Sequence, residues 1–207
     1  MGGTGTLKAV LFDRDGTLVV DVPYNGDPQM VRPMESAHLA LARVRRAGLA
    51  TGVLSNQSGI GRGLLTLNQV QAVNQRVDEL LGPFDVWEIC PHGPADGCTC
   101  RKPAPGMILA ACSTLGLHPS QVAFVGDIGA DVEAATAAGS QSVLVPTHVT
   151  RSEEIEAAGV VAENLLTAVE LLLDAATTGT TGTTATTATT ATGGASPKPD
   201  ARQDAPV

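Results

Sequence analysis

Aromatic residues are nearly absent from this sequence: three Phe, one Tyr and one Trp in 207 residues. A core must therefore be filled by Leu, Val, Ile and Ala, and with 43 % hydrophobic residues there are enough of them. No stretch approaches the roughly 20 apolar residues of a membrane span. The opening MGGTGTLKAVLF has neither the basic region nor the long apolar run of a signal peptide. The expectation is a cytoplasmic protein with no membrane partner. Runs of Lys or Arg are also missing, and the net charge is −8, which argues against a nucleic-acid partner. That acidic balance would repel a phosphorylated ligand too, unless a cation and a few placed basic groups intervene. Cysteines number four, too few for a disulfide scaffold in a reducing compartment, yet three of them crowd between positions 90 and 100 beside a histidine.

Short apolar runs alternate with amphipathic stretches along the chain. Strands are expected at 7–12, 49–54, 84–89, 122–125 and 142–145, and helices at 37–47, 66–81, 105–115, 131–138 and 163–175. Such alternation implies an α/β fold, a doubly wound parallel sheet covered by helices on both faces. Residues 1–175 form one domain in this reading. The segment 176–207, with its Thr/Ala/Gly tract, has no large apolar residues to offset chain entropy and reads as a disordered tail. No exposed apolar stripe stands out, so a monomer is expected.

In doubly wound sheets ligands bind beyond the carboxyl ends of the strands, and three polar clusters fall there: DRDGT, SNQSG and GDIGAD. Asp13 and Asp15 stand two residues apart on a glycine turn, a spacing that suits a nucleophile and a general acid/base. Ser55 and Asn56 offer a hydroxyl and backbone N–H groups to a phosphoryl oxygen. Lys102 adds a point charge. Asp127, Asp13 and the main-chain carbonyl of Asp15 compose the small oxygen set that Mg²⁺ prefers, and Asp131 follows the same strand. Taken singly, each piece could be a capping carboxylate or a solvated lysine.

Together, DRDGT, SNQSG, RKP and GDIGAD resemble the four motifs of the haloacid-dehalogenase superfamily over residues 7 to about 145. The resemblance implies a Rossmann-like phosphatase that works through an aspartyl-phosphate. Asp13 is then the nucleophile, Asp15 the acid/base, Ser55 and Lys102 the phosphoryl-binding groups, and Asp127 the magnesium ligand with Asp131 in support. About 40 residues separate Asp13 from Ser55 and about 46 separate Ser55 from Lys102, which leaves no room for a cap domain.

Cys90, His92, Cys98 and Cys100 form C-x-H-x₅-C-x-C, a soft set suited to structural zinc with no open position. This loop resembles the zinc-bearing branch of the superfamily, whose members hydrolyse either D-glycero-D-manno-heptose 1,7-bisphosphate or histidinol phosphate. The SNQSGIGRG and RKPAPGM runs and Asp21-Val22-Pro23-Tyr24 lie nearer the heptose side. They imply substrate contacts from Asp21, Val22, Pro23, Tyr24, Asn56, Gln57, Ser58 and Arg101. The expected function is a Mg²⁺-dependent phosphomonoesterase on a small phosphorylated metabolite, the heptose bisphosphate first and histidinol phosphate or another sugar phosphate as the alternative. A non-catalytic zinc-stabilised binding module is the alternative from another class, and the complete set Asp13, Asp15, Lys102 and Asp127 argues against it.

Overall fold

In the computed structural model, residues 6–178 are described. Five strands, β1 (Ala9–Phe12), β2 (Ala50–Asn56), β3 (Val86–Cys90), β4 (Val122–Gly126) and β5 (Gln141–Leu144), form one sheet in the order β3-β2-β1-β4-β5. Every pairing is parallel. Strand β1 lies at the centre, with Phe12 opposite Val53 on one side and Val125 on the other. The chain winds outward from β1 to one edge and then crosses back to β4. The carboxyl ends of β1, β2 and β4 therefore stand side by side, as the expected doubly wound sheet requires.

Alternation along β1 divides the core. Val10 and Phe12 face one way and pack with α1 (Ala37–Arg46), α3 (Leu67–Leu81) and α7 (Leu165–Thr178). Ala9 and Leu11 face the other way and pack with α4 (Gly106–Leu115) and α5 (Gly129–Ala138). All four β1 residues are fully buried, so a continuous apolar run rather than an alternating one marks this strand. Gly52 in β2 leaves room for its strand neighbours, because a Cβ there would overlap Val86 and come within 2.7 Å of a Leu11 methyl.

The expected elements are present with shifted ends. Leu7 precedes β1, Phe84 lies outside β3, and α5 begins two residues before Asp131. Phe84 instead packs edge-on against Trp87 at 5.4 Å and lies under the Arg45 guanidinium. Thr66 caps α3 in a reciprocal box with Gln69, as its position suggested. Two short helices, α2 (Ser58–Gly61) and α6 (Ser152–Ala157), were not expected; four and six residues are too few to show a helical period. The β1–α1 connection holds only a 3₁₀ turn at Pro28–Met30, and no inserted domain stands among the described residues, in keeping with the short motif spacings. Helix α7 carries the folded unit to Thr178, a little past the expected boundary at 175, and most of the Thr/Ala/Gly segment lies outside the described residues.

Candidate active site

The turn after β1 is held before any chemistry is asked of it. Asp13 N donates to Val125 O at 2.9 Å, which ties the strand end to β4. Leu18 N and Val19 N both donate to Arg14 O at 3.0 Å, and Gly16 N donates to Val19 O at 2.8 Å. Gly16 has φ +79°, a conformation that disfavours a side chain. A Cβ there would also collide with the Asp127 carboxylate. The sharp turn thus serves two ends: it reverses the chain and lets Asp127 approach Asp13.

The β4 end is built in the same way. Asp131, in the first turn of α5, accepts hydrogen bonds at Oδ2 from the N–H groups of Asp127 and Ile128, at 3.1 and 3.2 Å. Its other oxygen, Oδ1, has the Lys102 ammonium 2.6 Å away. Thr150 Oγ1 donates to the Asp127 carbonyl at 2.7 Å, and Thr17 Oγ1 approaches the Asp127 carboxylate at 3.4 Å.

Lys102 is the hub. Its ammonium contacts Asp13 Oδ1 at 2.7 Å as well as Asp131, and donates to Leu54 O at 3.2 Å. It is 3 % exposed. Its backbone is clamped by the Asn56 side chain, which receives Lys102 N–H at Oδ1 (3.1 Å) and donates from Nδ2 to Lys102 O (3.2 Å). Both ends of the Asn56 amide are therefore spent on Lys102, although Asn56 borders the cleft as expected of a substrate contact.

Asp15 sits beside this group. Gln57 Nε2 donates to Asp15 Oδ2 at 2.9 Å and to Ser55 Oγ at 2.8 Å, and the Ser55 hydroxyl is 3.5 Å from the same carboxylate oxygen. An open cleft of about 370 Å³ runs over these residues. Asp21, Val22, Pro23 and Tyr24 border it on one side, Ser55 to Ser58 and Arg101 on the other. All the residues expected to touch substrate thus share one cavity with Asp13, Asp15, Lys102 and Asp127. Tyr24 has φ 53° and accepts a hydrogen bond from Arg62 at 2.8 Å, which orients its ring at the rim.

Three buried carboxylates, Asp13, Asp127 and Asp131, face one ammonium. Burial pushes the Asp13 carboxyl up to about 8 even though Lys102 opposes the shift. Burial, and then the Asp131 charge, push Asp127 up to about 7. Burial alone would lower Lys102, but the charges of Asp13 and Asp131 outweigh it and hold the ammonium above its ordinary value. Oxygens of the three carboxylates lie within 4.8 Å of one another. An excess of hard anionic oxygen, in a space that a Cβ at Gly16 would close, fits Mg²⁺. With both Asp131 oxygens engaged, Asp13 and Asp127 are the carboxylates with oxygens left over.

The second cluster lies on the loop after β3. Cys90 Sγ is 3.7 Å from Cys98 Sγ and 3.2 Å from Cys100 Sγ; His92 Nδ1 is 3.6 Å from Cys90 Sγ and 3.2 Å from Cys100 Sγ. Tetrahedral zinc with Zn–S of about 2.3 Å places its sulfurs about 3.8 Å apart, so the donors fit a closed zinc site after small adjustments. Burial, then the Cys100 contact, push the Cys90 thiol up to about 12. Cys98 is lowered, because the Arg101 N–H and its thiol neighbours outweigh desolvation. The loop is pinned to the active side of the sheet: Gln57 N donates to Cys90 O at 2.7 Å, and Gly61 N to Pro91 O at 2.9 Å. Cys112 is buried in the α4 core, and His38, His118 and His148 are exposed.

Arg14, Thr17, Val149 and Thr150 also belong to the site and were not singled out in the sequence. Arg14 carried a signal, a basic residue between two carboxylates directly after a buried strand. Thr150 carried none, since it reaches Asp127 only through the fold.

The HAD-hydrolase-like family model matches residues 99–168. D-glycero-β-D-manno-heptose-1,7-bisphosphate 7-phosphatase of Pseudomonas aeruginosa is 41 % identical over 143 residues, covering 67 % of this chain and 80 % of that protein. The enzyme of the same name from Escherichia coli K12 is 34 % identical over 163 residues, covering 73 % and 85 %. The crystal structure of D,D-heptose 1,7-bisphosphate phosphatase from Bordetella bronchiseptica, complexed with magnesium and phosphate, superposes with a TM-score of 0.72 at 30 % identity, over 82 % of this chain and 99 % of that one.

Two outcomes are expected of the metals. The raised carboxyls of Asp13 and Asp127 bind protons more tightly folded than unfolded, so their contribution to stability is present below about pH 4 and lost as pH rises through 7 and 8. Zinc-replete protein in Mg²⁺-free buffer should lose thermal stability from about pH 5.5 to about pH 8.5, and the rise in Tm on adding Mg²⁺ should grow over the same interval. A magnesium effect that is largest at the acidic end would contradict this ligand set. Separately, Cys98→Ser should drop zinc from about one ion per chain to well below half, read by elemental analysis of purified protein. Full zinc in that variant would exclude Cys98 as a ligand.

Proposed function

The chain belongs to the haloacid-dehalogenase-like hydrolases, in the branch of the heptose-bisphosphate phosphatases, and on that premise we propose that it removes the 7-phosphate of D-glycero-D-manno-heptose 1,7-bisphosphate. The observation that carries the reading is the convergence of Asp13, Asp15, Ser55, Lys102 and Asp127 at the ends of three adjacent strands, under an open cleft.

Asp13 attacks phosphorus in line with the bond to the departing sugar oxygen. That bond breaks, its electron pair stays on the oxygen, and Asp15 supplies the proton, leaving an aspartyl-phosphate and a neutral hydroxyl. Asp15, now a carboxylate, takes a proton from water as the water oxygen attacks phosphorus. The bond to Asp13 then breaks and inorganic phosphate leaves. Lys102, 2.7 Å from Asp13 Oδ1, favours the anionic nucleophile against the larger effect of burial and offsets phosphoryl charge in a water-poor site. The Ser55 hydroxyl donates to a phosphoryl oxygen. Asp13, Asp127 and the Asp15 carbonyl would hold Mg²⁺, with Asp131 in support, and the ion would supply charge to neutralise the transferring group. The zinc loop is structural in this reading: its four donors leave no open position, and it delivers Arg101 and Lys102 to the cleft.

With no cap among the described residues, selectivity falls to the segment from Asp21 to Tyr24 and to Arg101 at the cleft rim. Gln57 and Ser58 border the same cleft at the end of β2. The reading also keeps a monomer in a reducing cytoplasm, where thiols such as Cys90, Cys98 and Cys100 stay free to ligate metal. No described helix is long and apolar enough to cross a membrane.

The test is phosphate release with Mg²⁺ from both anomers of the heptose bisphosphate, from histidinol phosphate and from a sugar-phosphate panel. The expected result is a kcat/KM for one heptose bisphosphate anomer at least about 100-fold above any other compound. Preference for histidinol phosphate, or a flat profile, would overturn the substrate. Asp13→Asn should lower turnover at least about 10³-fold while leaving the fold intact, and activity retained in that variant would remove Asp13 as nucleophile.

A further inference from the structure

Arg14 is the largest fully buried side chain among the described residues, and nothing in the reaction sequence above uses it. Its guanidinium forks onto the neighbouring acid: Nη2 lies 2.8 Å from Asp15 Oδ2, and Nε lies 3.1 Å from both Asp15 oxygens. The remaining arm reaches across to α3, where Nη1 donates to Asn74 Oδ1 at 2.6 Å. Asn74 is half-buried on that helix and is 60 residues away in sequence.

The donors fall unequally on the two Asp15 oxygens. Oδ2 receives Arg14 Nη2 and Gln57 Nε2 at short range, with the Ser55 hydroxyl at 3.5 Å. Oδ1 has only the shared Arg14 Nε contact at 3.1 Å. One oxygen is therefore saturated, and the other is left to carry and deliver a proton. A planar guanidinium fixed at both ends also sets the plane of the carboxylate that it forks. Without an anchor on the far side, adjacent residues in a tight turn could pivot together.

We propose that Arg14, anchored by Asn74 on α3, is a positioning residue for Asp15 that leaves Oδ1 as the oxygen which protonates the leaving alkoxide. The inference rests on Asp15 being the general acid. In the balanced step the phosphorus–oxygen bond breaks, its electron pair goes to the leaving oxygen, and the proton on Asp15 Oδ1 moves to that oxygen. A leaving group that departs as a stable anion needs no such proton. Misplacing Asp15 therefore harms alkyl phosphates selectively.

The experiment compares an alkyl substrate, the heptose bisphosphate or whichever alkyl phosphate proves best, with 4-nitrophenyl phosphate in the Mg²⁺- and Zn²⁺-loaded full chain. Asn74→Ala is expected to lower kcat on the alkyl phosphate at least about 10-fold, with KM within about 2-fold and 4-nitrophenyl phosphate hydrolysis within about 3-fold. Asn74→Asp, which keeps an acceptor on the same stem, should restore most of the loss. Asp15→Asn provides the reference and should show the same leaving-group dependence more strongly. Equal losses on both substrates in Asn74→Ala, no loss at all, or no rescue by Asn74→Asp would each overturn the positioning role while Asp15 stands as the acid. An Asp15→Asn enzyme indifferent to the leaving group would overturn both.

Discussion

The ammonium of Lys102 touches Asp13 and Asp131 at 2.7 and 2.6 Å in a place almost closed to water. A buried charge of either sign is costly alone, and removing one member of such a pair leaves the other uncompensated, at about 3–5 kcal/mol. Lys102 and Asp131 therefore require each other before any substrate arrives. Asp131 in turn is fixed because its second oxygen caps the amides of Asp127 and Ile128. Thus one ion-pair triad joins the end of β1, the end of β4 and the loop before α4. With Asp127 beside it, the arrangement carries two carboxylates more than its one cation can balance. That surplus charge makes a divalent ion at home here and adds to burial, the larger cause, in holding Asp13 and Asp127 above the ordinary carboxylate range.

The parallel sheet supplies the rest of the geometry. Three strands ending at one edge bring polar residues from distant parts of the chain within a few ångströms, and the two apolar layers behind them keep that edge rigid. Among the described residues nothing large covers it. A site of this kind must exclude competing substrates with short rim segments rather than a closing domain, which gives weight to Tyr24, held by Arg62, and to Arg101.

The strand cores and the site motifs were legible because their signals are local. Continuous apolar runs such as AVLF mark buried parallel strands, and the DRDGT and GDIGAD turns follow them directly. The C-x-H-x₅-C-x-C spacing needed no fold to be read as a metal loop. What remained hidden depends on tertiary placement. Asn56 reads as a substrate contact by position, yet its amide is used on the Lys102 backbone, 46 residues away. Asn74 is an ordinary polar residue on an amphipathic helix until Arg14 is seen to reach it. Short helices such as α2 and α6 carry too few residues to show a period, and Phe84 lies outside its expected strand with its N–H donated to Asp78 Oδ1 at 3.1 Å and its ring against Trp87 and Arg45.

The Asn56 clamp explains why a metal loop stands beside a phosphatase site at all. Lys102 must extend its ammonium into a buried triad from a segment with no regular structure, since α4 begins only at Gly106. A free loop would lose considerable conformational entropy each time the triad formed. Here the segment is held on both sides. The Cys90, His92, Cys98 and Cys100 donors fix the loop just upstream, with Arg101 Nη1 reaching back to His92 O at 3.3 Å, and Asn56 grips the Lys102 peptide from β2. Gly106 N closes the far end on Thr99 O at 3.0 Å, where a Cβ would overlap the backbone. These four donors need not touch the substrate to matter for the chemistry: the loop that they draw together runs directly into Lys102, the cation of the triad.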